Sequence, residues 1–173
     1  MAKLKPPVSG KDQSTGNPQA SVTLVEFGDY QCPHCGHAHP LIKRLLKEKG
    51  KDILFVFRNF PLQEAHPAAF MAALAAEAAG LQDKFWPMHD IIFENQEKLG
   101  GHGLLDFAES LQLDMSRFAA DWKSDAIVKK VEDDFESGIR SGVNGTPTFY
   151  LNGEMVNYDT TYGSLLNAVK AAV

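Results

Sequence analysis

The chain has 173 residues and two cysteines, Cys32 and Cys35, which stand three positions apart in Gln31-Cys32-Pro33-His34-Cys35. Before them, Val22, Leu24 and Glu26 alternate with Thr23, Val25 and Phe27 as the two faces of a short strand. After them, Leu41, Ile42, Leu45 and Leu46 form a helical stripe that Gly50 should end. Pro33 suits a first helical position, where its missing N–H has no partner to lose. Cys32 is then the expected N-cap. A thiol placed there faces unpaired N–H groups and the positive end of the helix dipole, and both favour its thiolate. Cys32 is expected to be the exposed nucleophile. Cys35, one turn further in, is shielded and close enough to resolve a mixed disulfide by attacking Cys32. Protonated His34 adds positive charge near the thiolate, stabilises the reduced pair and makes the disulfide a stronger oxidant. Pro40 should kink the helix.

Two other chemistries compete for the same residues. A structural disulfide closing so small a loop would remove little entropy from the unfolded chain. A copper or zinc site is the stronger rival, because Cys32, His34, Cys35, His37 and His39 offer five ligands in eight residues. Zinc sites usually draw on two separated ligand pairs, and no second pair exists in the chain. Redox exchange therefore leads, with no metal expected and no cofactor beyond a Cys32–Cys35 disulfide. Metal binding by the Cys/His cluster stands as the alternative.

These residues need a frame. At 44% hydrophobic, the chain suffices for one domain with a full core and no disulfide scaffold. A net charge of −5 argues against nucleic acid or an anionic membrane as partner. No run of eighteen apolar residues suggests a transmembrane helix. Ile53 to Phe57 is an unbroken apolar run of the kind buried on both faces in a parallel sheet. From Gln63 to Lys123 strand signals vanish and helical spacings take over, with an alanine-rich helix expected over His66 to Gly80. Asp114 and Ser124 are expected N-caps. The helix after Ser124 carries a stripe of Ile127, Val131, Phe135 and Ile139. Thr148 to Leu151, Asn152-Gly153 and Glu154 to Val156 read as a hairpin with a type I′ turn, and a last helix follows over Thr161 to Ala172.

Glu26, Cys32-Pro33-His34-Cys35 and Pro40 resemble the active-site segment of the thioredoxin superfamily, and Cys-Pro-His-Cys is typical of its DsbA-like disulfide oxidoreductases. Gly145-Thr146-Pro147-Thr148-Phe149 resembles the cis-proline loop that faces the cysteines in that superfamily. The resemblance runs from about Val22 to Val173. It implies an α/β thioredoxin-like fold with a DsbA-like helical insertion: an N-terminal arm over 1–20, a core over 21–62 and 124–173, and an inserted helical subdomain over 63–123. It implies that Glu26 accepts a proton from Cys35, that Pro147 is cis, and that Thr146 offers backbone hydrogen bonds to a bound peptide. Arg58 is a candidate charge partner for Glu26.

The function expected is a thiol:disulfide oxidoreductase that donates disulfides to client dithiols as a monomer and exchanges electrons with a further redox partner. A cytoplasmic reductase or isomerase is the other redox reading. The first twenty residues lack an apolar signal segment, so the address is cytoplasmic as written, or periplasmic if a leader was removed. The arm is open to two readings, loose or packed across the sheet edge. His37 and His39 are expected to be solvated helix residues, His66 and His89 packing or capping residues within helices, and Gly100-Gly101-His102-Gly103 a flexible loop.

Overall fold

A computed structural model describes residues 2–173. Its centre is a five-stranded sheet in the order β1-β3-β2-β4-β5, built from β1 (Gln13–Gly16), β2 (Val22–Gly28), β3 (Ile53–Asn59), β4 (Thr148–Leu151) and β5 (Glu154–Val156). β2 and β3 are parallel, joined through α1 (Pro33–Lys49), and every other pairing is antiparallel. The register sets Glu26 beside Phe57 and Phe149, and Phe27 beside Arg58 and Thr148. Side chains alternate, so Glu26 and Arg58 lie on opposite faces of the sheet.

The face carrying Val22, Leu24, Phe55, Phe57 and Phe149 packs into the larger apolar core with α1. α7 (Tyr162–Ala172) adds Leu165 and Val169 to that layer. The other face, with Val25, Phe27, Val56 and Tyr150, is covered by α6 (Asp125–Ser141) and by Leu4 and Val8 of the arm. Between β3 and α6 lie α2 (Ala69–Gly80), α3 (Phe85–Phe93), α4 (Gly101–Ser110) and α5 (Met115–Trp122). The seven alanines of α2 that are buried give a thin helix that fits among its neighbours.

The caps expected at Asp114 and Ser124 form, each accepting from the third residue beyond it. In the hairpin, Asn152 and Gly153 both take positive φ, as a type I′ turn requires. α1 runs on through Pro40. Other expectations fail for identifiable reasons. His66 precedes α2, because the helix starts only at Ala69, beyond Pro67. Gly101-His102-Gly103 is the first turn of α4 and not a loop, since neighbouring apolar residues Leu104, Phe107 and Ala108 bury the helix they belong to. Ile139 is 55% exposed, and small Gly138 takes the inward position instead.

The arm binds both edges of the sheet. Residues 2–4 run beside β5, with Met155 N–H donating to Ala2 O and Leu4 N–H to Gly153 O. The chain then crosses the back of the sheet and pairs as β1 with β3. Arg58 anchors the crossing. It does not meet Glu26; its guanidinium bonds Asp12 at 2.8 and 3.0 Å, Ser137 Oγ at 2.8 Å and the carbonyl of Pro6 at 2.9 Å.

Gly138 sets how closely α6 approaches. A Cβ there would stand 2.5 Å from Phe60 and 3.2 Å from Phe27, two rings that already meet edge to face. Gly138→Ala gains about 1 kcal/mol of helix propensity but overpacks a filled site at about 1–3 kcal/mol. A lowered urea midpoint is expected; an unchanged or raised one would contradict this packing.

Candidate active site

The turn from β2 into α1 is built by Asp29. Its side chain is buried and accepts from Gln31 N–H at 2.8 Å and Cys32 N–H at 3.0 Å through one oxygen. The other oxygen accepts from Leu62 N–H at 2.9 Å and meets His66 Nδ1 at 2.8 Å. His66 is thus a partner of Asp29 rather than a helix-packing residue. From the opposite side Gln96 Nε2 donates to the carbonyls of Tyr30 and Cys32, both at 2.9 Å. Gly36 leaves room for the Gln96 amide, which a Cβ there would strike.

Held this way, Cys32 is the N-cap of α1 and Pro33 its first residue. The expectation of an exposed nucleophile needs correction: Cys32 is only 3% exposed and Cys35 fully buried. The cover comes from the loop before β4. The Thr146 carbonyl stands 3.6 Å from Cys32 Sγ, and the Thr146–Pro147 peptide is cis. Thr146 Oγ1 is buried with no hydrogen-bond partner.

Cys32 is lowered from 9.0 to about 5. The largest cause is a hydrogen bond from the Cys35 thiol; Thr146 and the backbone N–H groups of His34 and Cys35 add to it, and desolvation opposes. His34 is exposed and reaches the sulfur through its backbone. Cys35 is pushed well above the usual thiol range, first by burial, then by its bond to Cys32 and the charges of Glu26 and Cys32. Asp29 N–H, 3.5 Å from Cys35 Sγ, works the other way. The two sulfurs therefore hold one proton between them, on Cys35, at neutral pH.

Glu26 lies beneath this pair, 2% exposed, so a solvent-facing carboxylate at a strand end is ruled out. Burial, and then the Cys32 charge, pushes it up to about 8. One of its oxygens has no hydrogen-bond partner. Tyr158 closes the same space, its ring 4.9 Å from that of Phe149, the residue paired with Glu26 across β2 and β4. Its hydroxyl is buried and unpartnered too, and burial followed by the Glu26 charge pushes it up to about 12.

The structure thus brings Cys32, Pro33, Cys35, Glu26, Thr146 and Pro147 to one end of the sheet and leaves the side chain of His34 outside. The five-ligand metal cluster does not assemble. His37 meets Thr160 O at 3.1 Å, and His39 is buried, not solvated. Among the described residues, the metal-capable group contains neither cysteine. By sequence Gly28 and Asp29 mark the turn out of β2, as the structure bears out, but the hold of Asp29 on Leu62 and His66 depends on distant chain. Gln96 and Tyr158 also arrive from distant chain and carry no local signal.

A family model described as thioredoxin matches residues 9–171. The chain belongs to the thioredoxin family. Among solved thioredoxin-like structures, a thioredoxin-like oxidoreductase from Silicibacter pomeroyi is 27% identical, with a TM-score of 0.85 over 95% of this chain and 93% of that one. The thiol-disulfide exchange protein alpha-DsbA2 from Wolbachia pipientis, 24% identical, has the same TM-score over 95% and 89%, and shows the shared DsbA-like fold. In sequence, a Na(+)/H(+) antiporter NhaA 1 of Salinispora arenicola is 40% identical over 162 residues, 94% of this chain. The chain spans about a quarter of the length of the curated relatives it matches, 25% in that case. No helix among the described residues is long and apolar enough to cross a membrane.

Between pH 4.5 and about 8, the unfolded chain has lost the Glu26 proton while the folded chain keeps it. Stability contributed at this site falls as pH rises through that window. Glu26→Gln removes the effect. In urea unfolding of the reduced protein, the stability of Glu26→Gln relative to the parent is expected to climb from pH 4.5 to about 8; a constant difference would mean that the carboxyl is hydrated.

Proposed function

We propose that this protein is a disulfide donor to client proteins. The observation that carries the reading is the stabilised Cys32 thiolate at the head of α1, lowered to about 5 with Cys35 bonded to it. In the oxidised protein, a client thiolate attacks Cys32 Sγ, the Cys32–Cys35 bond breaks and the electron pair leaves on Cys35. The buried Cys35 sulfur is a poor anion; Glu26, protonated below about 8, hands it the proton. A second client thiolate then attacks the client sulfur of the mixed disulfide and expels Cys32 as the thiolate. The client has lost two electrons, the protein has gained them, and a redox partner must remove them before the next cycle.

Direction follows from which form is favoured. A low Cys32 pKa stabilises the reduced protein and so makes the disulfide oxidising. Such a donor works where disulfides persist, outside the reducing cytoplasm; a reducing environment would drive the same exchange backwards. The Thr146 backbone, beside Cys32 Sγ, supports strand-like pairing with an extended client segment. The name of the longer antiporter relatives describes proteins of which this chain matches a quarter, and transport is not carried over.

Cys32→Ser is expected to abolish dithiol oxidation; Cys35→Ser, presented with a client disulfide, is expected to trap a client–Cys32 mixed disulfide on non-reducing gels, the Cys32 thiolate having expelled the other client sulfur. Activity surviving Cys32→Ser would refute the reading. Equilibration with glutathione should give a potential less negative than about −200 mV; a value near thioredoxin's, about −270 mV, would reverse the direction.

A further inference from the structure

The active-site helix carries a second polar cluster, one turn beyond Cys35, that disulfide exchange does not use. His39 is 6% exposed, and its Nε2 has no hydrogen-bond partner. That nitrogen lies 3.5 Å from Asp90 Oδ1 and 3.6 Å from Glu94 Oε1, too long or misaligned for hydrogen bonds. His89, next to Asp90 on α3, is also buried, its ring 5.5 Å from that of His39. Donor atoms of His39, His89 and Asp90 all stand within 4.8 Å of one another. A buried imidazole nitrogen without a partner carries an uncompensated desolvation cost, and it is the kind of group that an ion completes.

We propose that His39, His89 and Asp90, with Glu94 at the mouth, form a binding site for a divalent transition-metal ion of the zinc class. Imidazole and carboxylate together suit first-row ions of this kind. Ligands about 2.1 Å from a tetrahedral ion stand about 3.4 Å from each other, close to the 3.5 and 3.6 Å separations about His39. The Tyr30 hydroxyl, 2.9 Å from His89 Nδ1, fixes that ring as outer-shell partners of metal ligands do.

Lys43 supplies the counter-charge in the metal-free arrangement. Its ammonium is 3.1 Å from Asp90 Oδ2 and 3.6 Å from Glu94 Oε1, and its side chain is 49% exposed. The ammonium can swing into water, so ion and lysine compete for the same two carboxylates. A bound ion would tie α1, which carries the cysteines at its head, to α3 of the inserted helices. Neither cysteine belongs to the site, so it stands apart from the redox pair.

The test uses the full chain with Cys32→Ser and Cys35→Ser together, titrated with Zn²⁺ by calorimetry and with Co²⁺ by absorption. One equivalent of each is expected to bind, the cobalt spectrum showing d–d bands. His39→Gln and Asp90→Asn should each weaken Zn²⁺ at least about tenfold. Lys43→Met, an exposed change that leaves the donors intact, should tighten it. Absence of binding in the parent and in Lys43→Met, binding that survives both donor substitutions, or weakening by Lys43→Met would overturn the site.

Discussion

A sulfur favoured as the anion at the head of a helix is the feature on which the rest of the molecule depends. Cys32 is nearly covered, and desolvation alone would hold it as a thiol. Its pKa falls to about 5 because the surroundings favour the anion, the Cys35 thiol first, with Thr146 and the first-turn backbone adding to it. Each donor must be held in place before the charge arrives, since donors that had to reorganise would lose much of their effect. That requirement explains the polar scaffold around the turn. Asp29 secures four neighbours from within, and Gln96 grips two carbonyls from the segment between α3 and α4.

Beneath the sulfurs the logic is reversed. Glu26 has neither a cation nor a hydrogen bond on one of its oxygens, and its burial favours the neutral acid. Moving Arg58 to the other face of the sheet keeps it neutral. An arginine on the Glu26 side would have lowered its pKa and removed its ability to hold a proton near neutrality. The guanidinium is used instead on Asp12 and Ser137, where it fastens the arm to the back of the sheet. Two carboxylates therefore serve opposite ends, one as paired anchor and one as unpaired proton store, and the alternation of a strand separates them.

Much of this was legible from the chain because it is local. The Cys32 cap, Pro33, the β2 alternation that buries Glu26, the Asn152-Gly153 turn and the Asp114 and Ser124 caps all follow from residues a few positions apart. The Thr146-Pro147 loop was legible only through family resemblance, since nothing nearby says what a proline loop will face. What escaped depended on tertiary partners. The histidines illustrate it: His39 shares the inward face of α1 with Cys35 and Ile42 by helical spacing, but the acidic partners that α3 brings from fifty residues away could not be read from the chain. Arg58 ends the apolar strand that pairs with β2, but register and pleat put its side chain on the face opposite Glu26. The exposure of Cys32 was misjudged for the same reason, because the loop that covers it comes from over a hundred residues downstream.

The path of the arm has a bearing on how another polypeptide can join this sheet. A free β3 or β5 would offer ladder groups to any extended chain, including another copy of this one. Residues 2–4 occupy one such margin, and the four-residue β1 replaces the other with a short, twisted border that stops at Gly16. Visitors are turned away from the flanks of the molecule. Under the proposed function, the backbone left for a client is the loop before β4, whose Thr146 carbonyl stands 3.6 Å from Cys32 Sγ.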